Sequence, residues 1–485
     1  MFLIIVSVVL FAVFPLTDTD IWWHLACARK WVTTWTPVRE PVVNVHEYFQ
    51  QVVAIVYDVG GAPLLVVFKA ILWGLVFALF LRGVKCRNLM SSAIAVVILF
   101  IFRYQLEIRP VLFSLLFLGI YWNVLPWLFR SRNEMRGLCA NRVAKPHNVV
   151  KTAGAAVLIL AIQWLWCRFQ GLYILGPLFA LLILWANGWS RRWGAFVVLL
   201  FAMPLLHRDG LNLFLYPFGL LDRLLGLSPS AAFFASEIAE NRSPITLLKA
   251  GENVLQSALM VVFSLAGIVA SVRHLRRSES VWLLTTAILA LVAERNFVLF
   301  LPVFFAVGVK CWPRLCLCKQ SHDVRPSRLP NRLPPAAYRL LPTLLIAFTL
   351  GLWAKSLAFY DRSMVAYQRV PVAATQWMLE NPHSGRLFND DRAGGYLAFM
   401  NPSDSTFIDG RFILKTAEFF EKYLQYAESP QTFLHDADSL DIDRVVLPLR
   451  YYARWDKLLG TLDSSEKWHV AYRDSLFVVM DRTAH

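Results

Sequence analysis

The 485-residue chain is 57% hydrophobic and only 17% charged, with a mean hydropathy of +0.50, which excludes an ordinary soluble domain and makes it a polytopic membrane protein. Its formal charge of +15 is unevenly spread: residues 361–485 hold 14 Lys and Arg against 18 Asp and Glu, a net of −4, leaving +19 on the first 360 residues. There the basic residues gather in short segments, at Arg82/Lys85/Arg87, within 130–151, at Arg191/Arg192, at Arg273/Arg276/Arg277 and within 310–339; this is positive-inside bias, and no nucleic-acid partner is expected.

Residues 1–16 are an uninterrupted apolar run without the basic leader or small-residue cleavage site of a secretory signal, so they read as a retained first span. Thr17-Asp18-Thr19-Asp20-Ile21-Trp22-Trp23-His24-Leu25 follows at once, placing two carboxylates, two tryptophans and a histidine where the helix leaves the bilayer. A carboxylate inside hydrocarbon costs roughly 2.5–3.5 kcal/mol on insertion scales, so acids kept at the boundary are functional candidates, against the alternative of an interfacial anchor.

Placing the five basic segments in the cytoplasm gives about eleven spans, near 1–17, 62–81, 89–103, 110–129, 152–168, 172–189, 194–206, 254–272, 281–294, 297–310 and 339–357, with the N-terminus inside and the C-terminus outside. Residues 47–59 are too few to cross, so 18–61 becomes one large external loop with amphipathic helices expected over 21–35 and 47–59, lying along the membrane. The other outward turns carry Glu107 and Arg109, Arg168, the segment 207–253 with Glu240 and Arg242, and Glu294-Arg295-Asn296. Charges at such short turns, all on the face that receives Asp18 and Asp20, point to one polar site.

The seven cysteines lack metal-site spacing and read as free thiols, several of them in cytoplasmic segments (Cys86, Cys139, Cys311, Cys316, Cys318). From 359 onward the composition is that of a soluble α/β domain, beside a transmembrane domain over 1–358. Its pattern predicts a helix over 370–379, strands over 385–388, 406–408 and 444–447, a helix over 417–426 and a terminal hairpin over 468–480. Asn389-Asp390-Asp391-Arg392-Ala393-Gly394-Gly395-Tyr396 and Asp409-Gly410-Arg411 read as loops at strand ends, where glycine allows close backbone approach.

Taken together, Asp18-Thr19-Asp20-Ile21-Trp22-Trp23-His24-Leu25, His46-Glu47-Tyr48, Arg109-Pro110, Ala239-Glu240-Asn241-Arg242-Ser243-Pro244, Arg295-Asn296 and the two glycine-acid loops resemble the GT-C superfamily of membrane glycosyltransferases. The resemblance is to a group with an Asp-x-Asp-x-Trp-Trp-His-Leu motif in the first external loop, and it runs nearly end to end. The chain departs from it at Trp166-Cys167-Arg168-Phe169-Gln170-Gly171 and at Arg208-Asp209-Gly210.

The resemblance implies an inverting transferase in the plasma membrane, moving a hexosyl or pentosyl group from a polyprenyl-phosphate donor to a glycan, lipid or protein acceptor, among membrane lipids. Asp18 and Asp20 are then the catalytic candidates, or ligands of Mg²⁺ or Mn²⁺ if the reaction is metal-dependent. His24, Arg109, Arg168, Arg242 and Arg295 are candidates for the donor, because the arginine fork suits phosphate. His46, Glu47, Glu240, Asp390, Asp391, Tyr396, Asp409 and Arg411 are candidates for the acceptor, although Asp409 and Arg411 would serve equally to brace a turn. The alternative is a transporter or flippase, or a non-catalytic binder, of lipid-linked saccharides, using the same groove without a base.

Overall fold

The computed structural model describes residues 1–31, 33–39, 43–84, 89–129, 147–225, 228–274, 277–316 and 337–483. Cys86, Cys139, Cys318 and most of the basic segments around them lie outside the described residues. The chain forms two compact units, each drawn from two stretches: Met1–Phe14 with Val67–Tyr360, and Pro15–Val66 with Asp361–His485.

The first unit is helical. Its elements are α1 (Phe2–Phe11), the later part of α3 (Glu47–Phe80), α4 (Leu89–Ile101), α5 (Val111–Leu128), α6 (His147–Phe169), α7 (Leu175–Asn187), α8 (Arg191–Ala202), α9 (Gly210–Leu225), α10 (Pro229–Glu237), α11 (Pro244–Lys249), α12 (Val254–His274), α13 (Arg277–Val292), α14 (Phe297–Cys316) and α15 (Ala337–Ala358). Among the described residues five helices are long and apolar enough to cross a membrane, or six if the pair Arg191–Leu206 and Gly210–Asp222, bent by 110°, is one span. Every expected span falls on a helix, but several of these helices have fewer than 18 residues, as Phe2–Phe11 and Leu89–Ile101 do. The protein is an integral membrane protein. The segment 207–253, expected as a polar excursion, is itself largely helical, and α9 exposes Leu211, Leu215, Phe218 and Leu221 at helical spacing, as a helix bordering lipid does.

The second unit combines α2 (Asp20–Arg29) and the start of α3 with the C-terminal α/β fold: α16 (Val372–Glu380), β1 (Arg386–Asn389), α17 (Asp391–Met400), α18 (Ala417–Glu428), α19 (Pro430–Ser439), β2 (Ile442–Pro448), α20 (Asp456–Asp463), β3 (Trp468–Arg473) and β4 (Phe477–Arg482). The sheet order is β1-β2-β4-β3, with β1 and β2 parallel and the other pairs antiparallel; Phe388 faces Val445, which faces Met480 in turn. Both faces are covered, as a parallel pair requires. Leu387, Val446 and Val479 pack with Ala374, Met378, Ala393 and Leu397 on one side. On the other side Phe388 meets Phe407, Tyr426, Phe433 and Trp455, with centroids 4.8 to 5.9 Å apart.

Four expectations are corrected here. The first loop's leading helix stops at Arg29 instead of continuing to Trp35, because Thr33 and Trp35 hydrogen-bond to Thr406 (Thr406 N to Thr33 O 3.1 Å, Trp35 N to Thr406 O 2.9 Å). That helix is also not amphipathic: residues 21–27 are all buried. Residues 406–408 form no sheet strand; Thr406 makes only a bridge, and its partner is Thr34. The glycine-rich stretch after β1 is helix α17, capped by Asp390, which accepts from the Arg392 N–H at 3.0 Å. Conversely, the separation of 47–59 from the following span is real: α3 is broken at Gly60 and at Gly61, whose φ of +63° with ψ of −159° suits only glycine.

Candidate functional site

Helix α2 begins at Asp20. The Asp20 N–H donates to the Asp18 carboxylate at 3.2 Å, so the two acids are fixed relative to each other at a helix N-terminus, where negative charge is favoured. The residues behind them are packed, not solvated. Trp22 meets Tyr396 edge-to-face at 4.8 Å and Tyr57 at 6.0 Å; His24 lies against Trp23 (3.5 Å), Phe49 (4.7 Å) and His46 (5.3 Å), and Glu47 opens α3 beside His46.

Two glycines of the C-terminal fold make this packing possible. A Cβ on Gly395 would stand 2.8 Å from the Trp23 backbone nitrogen and 3.4 Å from the Thr19 carbonyl oxygen, so α17 and α2 meet backbone to backbone along this line. A Cβ on Gly410 would run into the carboxylate oxygen of Asp20, with Trp23 Nε1 at 3.4 Å. The Asp409-Gly410-Arg411 turn therefore closes directly over the acidic motif. Side chains at either position would push the motif away.

Arg411 secures that turn. Its Nε and one Nη2 hydrogen bond Asp409 (3.0 and 2.6 Å), its Nη1 donates to Cys27 Sγ (3.1 Å) and to the Trp31 carbonyl (2.7 Å), and its Nη2 also reaches Thr33 Oγ1 (2.8 Å). All five guanidinium protons are engaged, and both Asp409 and Arg411 are buried. Burial alone would raise the Asp409 carboxyl, but the charge and hydrogen bonds of Arg411 hold it below the usual range. Lys415 extends the brace, donating to Thr34 Oγ1, Thr36 Oγ1 and the carbonyls of Thr36 and Pro37; burial pulls its ammonium down to about 8. Burial pushes the Cys27 thiol up to about 12, so it acts as a packed, weakly polar group.

Asp390 and Asp391 face the other way, into the C-terminal fold. Asp390 accepts from Trp455 Nε1 at 2.8 Å, and burial, with the Asp391 charge adding, pushes it up to about 7. Asp391 accepts from the Tyr423 hydroxyl at 2.8 Å and from Arg454 at 3.4 Å. Of the acceptor candidates, Tyr396, Asp409, Arg411 and His46 thus gather around α2, whereas Asp390 and Asp391 do not.

The donor candidates, apart from His24, belong to the membrane unit. Arg109 makes a two-pronged pair with Glu240 (2.8 and 2.7 Å), Arg242 another with Glu252 (2.9 and 2.5 Å), and Arg168, itself buried, meets Asp209 at 2.5 Å. The Glu294 N–H donates to the Arg242 carbonyl, tying the two turns together, and burial raises the Glu294 carboxyl, with Glu240 adding and Arg109 and Arg242 opposing. Arg295 sits among these groups with no hydrogen bond or ion pair of its own among the described residues.

Two features were missed in the sequence. Lys69, fully buried in α3, donates to the Phe14 carbonyl at 3.2 Å, stacks on the Phe14 ring at 3.4 Å and lies 3.8 Å from Glu107. A lone lysine inside the apolar run 62–81 was the available signal. Thr33 to Pro37 as partners of Arg411 and Lys415 carried no local signal, since the contacts span more than 375 residues of chain.

No family model and no curated protein matches the chain by sequence. Solved structures do match by shape. The apo oligosaccharyltransferase of Archaeoglobus fulgidus superposes with a TM-score of 0.58 at 14% identity, over 93% of this chain and 71% of that one. The chain has the GT-C fold. Two further structures from the same organism agree: AglB in complex with an inhibitory peptide and a dolichol-phosphate (0.53, 14%, 92% and 69%), and the oligosaccharyltransferase tethered with an acceptor peptide containing the NVT sequon (0.51, 14%, 99% and 74%). At this identity the GT-C likeness is one of fold. What the site does rests on its own residues.

Proposed function

We propose that the protein is a membrane glycosyltransferase that moves a sugar from a polyprenyl-phosphate-linked donor to an acceptor on the outer face of the membrane. The observation that carries this reading is the acidic pair at the start of α2, enclosed by the Gly410 turn. The GT-C fold supports it, as does a similar structure that holds dolichol-phosphate. In the reaction the acceptor hydroxyl or amide attacks the anomeric carbon, the bond from that carbon to the phosphate oxygen breaks, and the phosphate leaves with the electron pair. Asp20 takes the acceptor's proton, and Asp18 fixes Asp20 through its backbone N–H. A single displacement of this kind inverts the anomeric centre.

Charge develops on the departing phosphate, and a guanidinium is the group to receive it. Arg295 is the candidate, because Arg109, Arg168 and Arg242 are each committed to a carboxylate. Asp18 and Asp20 would supply two of the ligands for Mg²⁺ or Mn²⁺, the donor set such ions take together with water and substrate phosphate. Among the described residues no third His, Cys, Asp or Glu joins them.

The first external loop and the C-terminal domain hydrogen-bond to each other within one unit, so they share a side of the bilayer and an even number of crossings separates them. The ten spans expected between them agree with this parity, and the positive-inside bias supports an external side.

The test uses reconstituted protein and a labelled polyprenyl-phosphate sugar. Asp20→Asn is expected to abolish transfer while keeping donor binding. A flippase would instead retain lipid flux in the same variant, and that outcome would overturn the proposal.

A further inference from the structure

The carboxyl ends of the parallel strands β1 and β2 hold a second group of functional side chains that the transfer chemistry does not use. In open α/β sheets ligands bind outside the carboxyl ends of the strands. After β1 comes Asp390-Asp391-Arg392; after β2 comes Leu449-Arg450-Tyr451-Tyr452-Ala453-Arg454. The domain carries a net −4, yet Arg392 and Arg454 meet on one ring here, and an exposed Arg450 leaves β2 in the same loop as that ring.

Their arrangement is specific. The guanidinium of Arg392 lies 3.6 Å from the centroid of Tyr452, and that of Arg454 lies 4.8 Å from the same centroid. Arg454 reaches Asp391 at 3.4 Å, whereas the side chains of Arg392 and Arg450 make no hydrogen bond or ion pair among the described residues. Two cations around one ring repel each other, so an anion bound there would relieve that repulsion and take up the donors of Arg392. Beside them Tyr451 is 71% exposed with φ of +65°, a conformation that costs a bulky residue roughly 1–2 kcal/mol and presents its ring to solvent.

We propose that this corner binds an anionic saccharide, its sugar face stacked on Tyr451 and its carboxylate or phosphate held by Arg392 and Arg450. The anion follows from the charges. That a sugar carries it rests on the transfer reading above. An exposed ring next to fork-shaped donors suits such a ligand: the ring covers the apolar face of a pyranose and the guanidinium groups chelate the charged substituent.

The experiment is equilibrium titration of the full chain in lipid nanodiscs with glucuronic acid, glucose 1-phosphate, glucose and inorganic phosphate. At least one anionic sugar is expected to bind ten-fold or more tightly than either glucose or phosphate, and the better of the two identifies carboxylate or phosphate as the recognised group. The double variant R392Q/R450Q should bind it no better than glucose. Tyr451→Gly should weaken binding at least ten-fold while keeping or raising the melting temperature, since glycine accepts the positive φ without strain; a merely structural tyrosine would lower it. Glucose binding equal to that of both anionic sugars, phosphate binding equal to that of the better sugar, or an unaffected Tyr451→Gly would each overturn the proposal. Asp20→Asn should leave this binding unchanged, so loss of transfer with binding intact speaks against the transferase reading alone, and intact transfer without binding speaks against this site alone.

Discussion

Replacing Gly410 by alanine adds one methyl group between the C-terminal domain and the proposed base. That methyl would overlap the Asp20 carboxylate and press toward Trp23 Nε1 at 3.4 Å. Restoring ordinary van der Waals separation requires a relative shift of about 1 Å. The turn itself gives little, because Arg411 anchors it through Asp409, Cys27, Trp31 and Thr33. Asp20 also has little room, since residues 21–27 behind it are buried. A misplacement of ~1 Å at a catalytic group costs about 10²-fold in turnover, and overpacking of this kind costs about 1–3 kcal/mol of stability. Gly410→Ala is therefore expected to lower kcat about a hundred-fold, with donor KM nearly unchanged and the melting temperature modestly lower. Gly460→Ala is the matched control: no atom lies within 4 Å of its Cβ position inside α20, so it should gain about 0.5–1 kcal/mol from helix propensity with unchanged turnover. Transfer kinetics and thermal unfolding in detergent read both variants. Full turnover in Gly410→Ala at wild-type stability would refute the claim that this turn sets the position of Asp20.

Arg411→Ala leaves Asp409 buried without its partner and should cost about 3–5 kcal/mol, measured by thermal unfolding; Lys at 411 should not restore it, because an ammonium cannot span five acceptors. His383 bridges Asp404 (2.9 Å) and Asp443 (2.5 Å); burial opposes its protonation, but these bonds push it up to about 9. Its folded pKa lies above the unfolded value of about 6.5, so the pair stabilises fully below pH ~6.5 and the stabilisation disappears as pH rises through about 9. Allowing for screening of a half-buried group, the loss should be about 1–2 kcal/mol, and His383→Gln should flatten that limb of the stability-against-pH curve. Arg295→Gln should raise the donor KM about ten-fold or more, while the same change at Arg242, paired to Glu252, should alter stability more than KM.

The membrane helices were legible because hydropathy is a local property: each apolar run between basic segments became a helix, and the separation of 47–59 from the next span, read from its length, falls at Gly60-Gly61. Strands β1 and β2, α18 and the terminal hairpin were legible for the same reason, through periodicity and turn residues. Helix α17 was not, because Gly394 and Gly395 read as turn punctuation; only the closeness of Ile408 and Trp23 explains why glycine occupies a helix interior at a cost of about 1 kcal/mol each. The role of Thr33, Thr34 and Thr36 was equally hidden, since β-branched residues in a loop carry no mark of a lysine and an arginine some 380 positions later. The acidic motif at 18–20 and the turn at 409–411 were each visible as candidates. Their junction across Gly410 was not, because adjacency of distant segments is decided by tertiary packing.

The second unit is closed by two stretches far apart in the chain: Pro15–Val66 is made before the helices of the first unit from Val67 onward, and Asp361–His485 after them. At ~5–20 residues per second, about 370 residues of synthesis, on the order of 20–75 s, separate the emergence of Trp22 from that of Tyr396, against which it packs. Through that interval the acidic helix has no lid, and its tryptophans are open to the bilayer surface or to a chaperone. A premature stop anywhere before the DGR turn would thus leave a chain that is inserted but unable to assemble its site, and quality control that recognises uncovered aromatic surface could tell it from the complete fold.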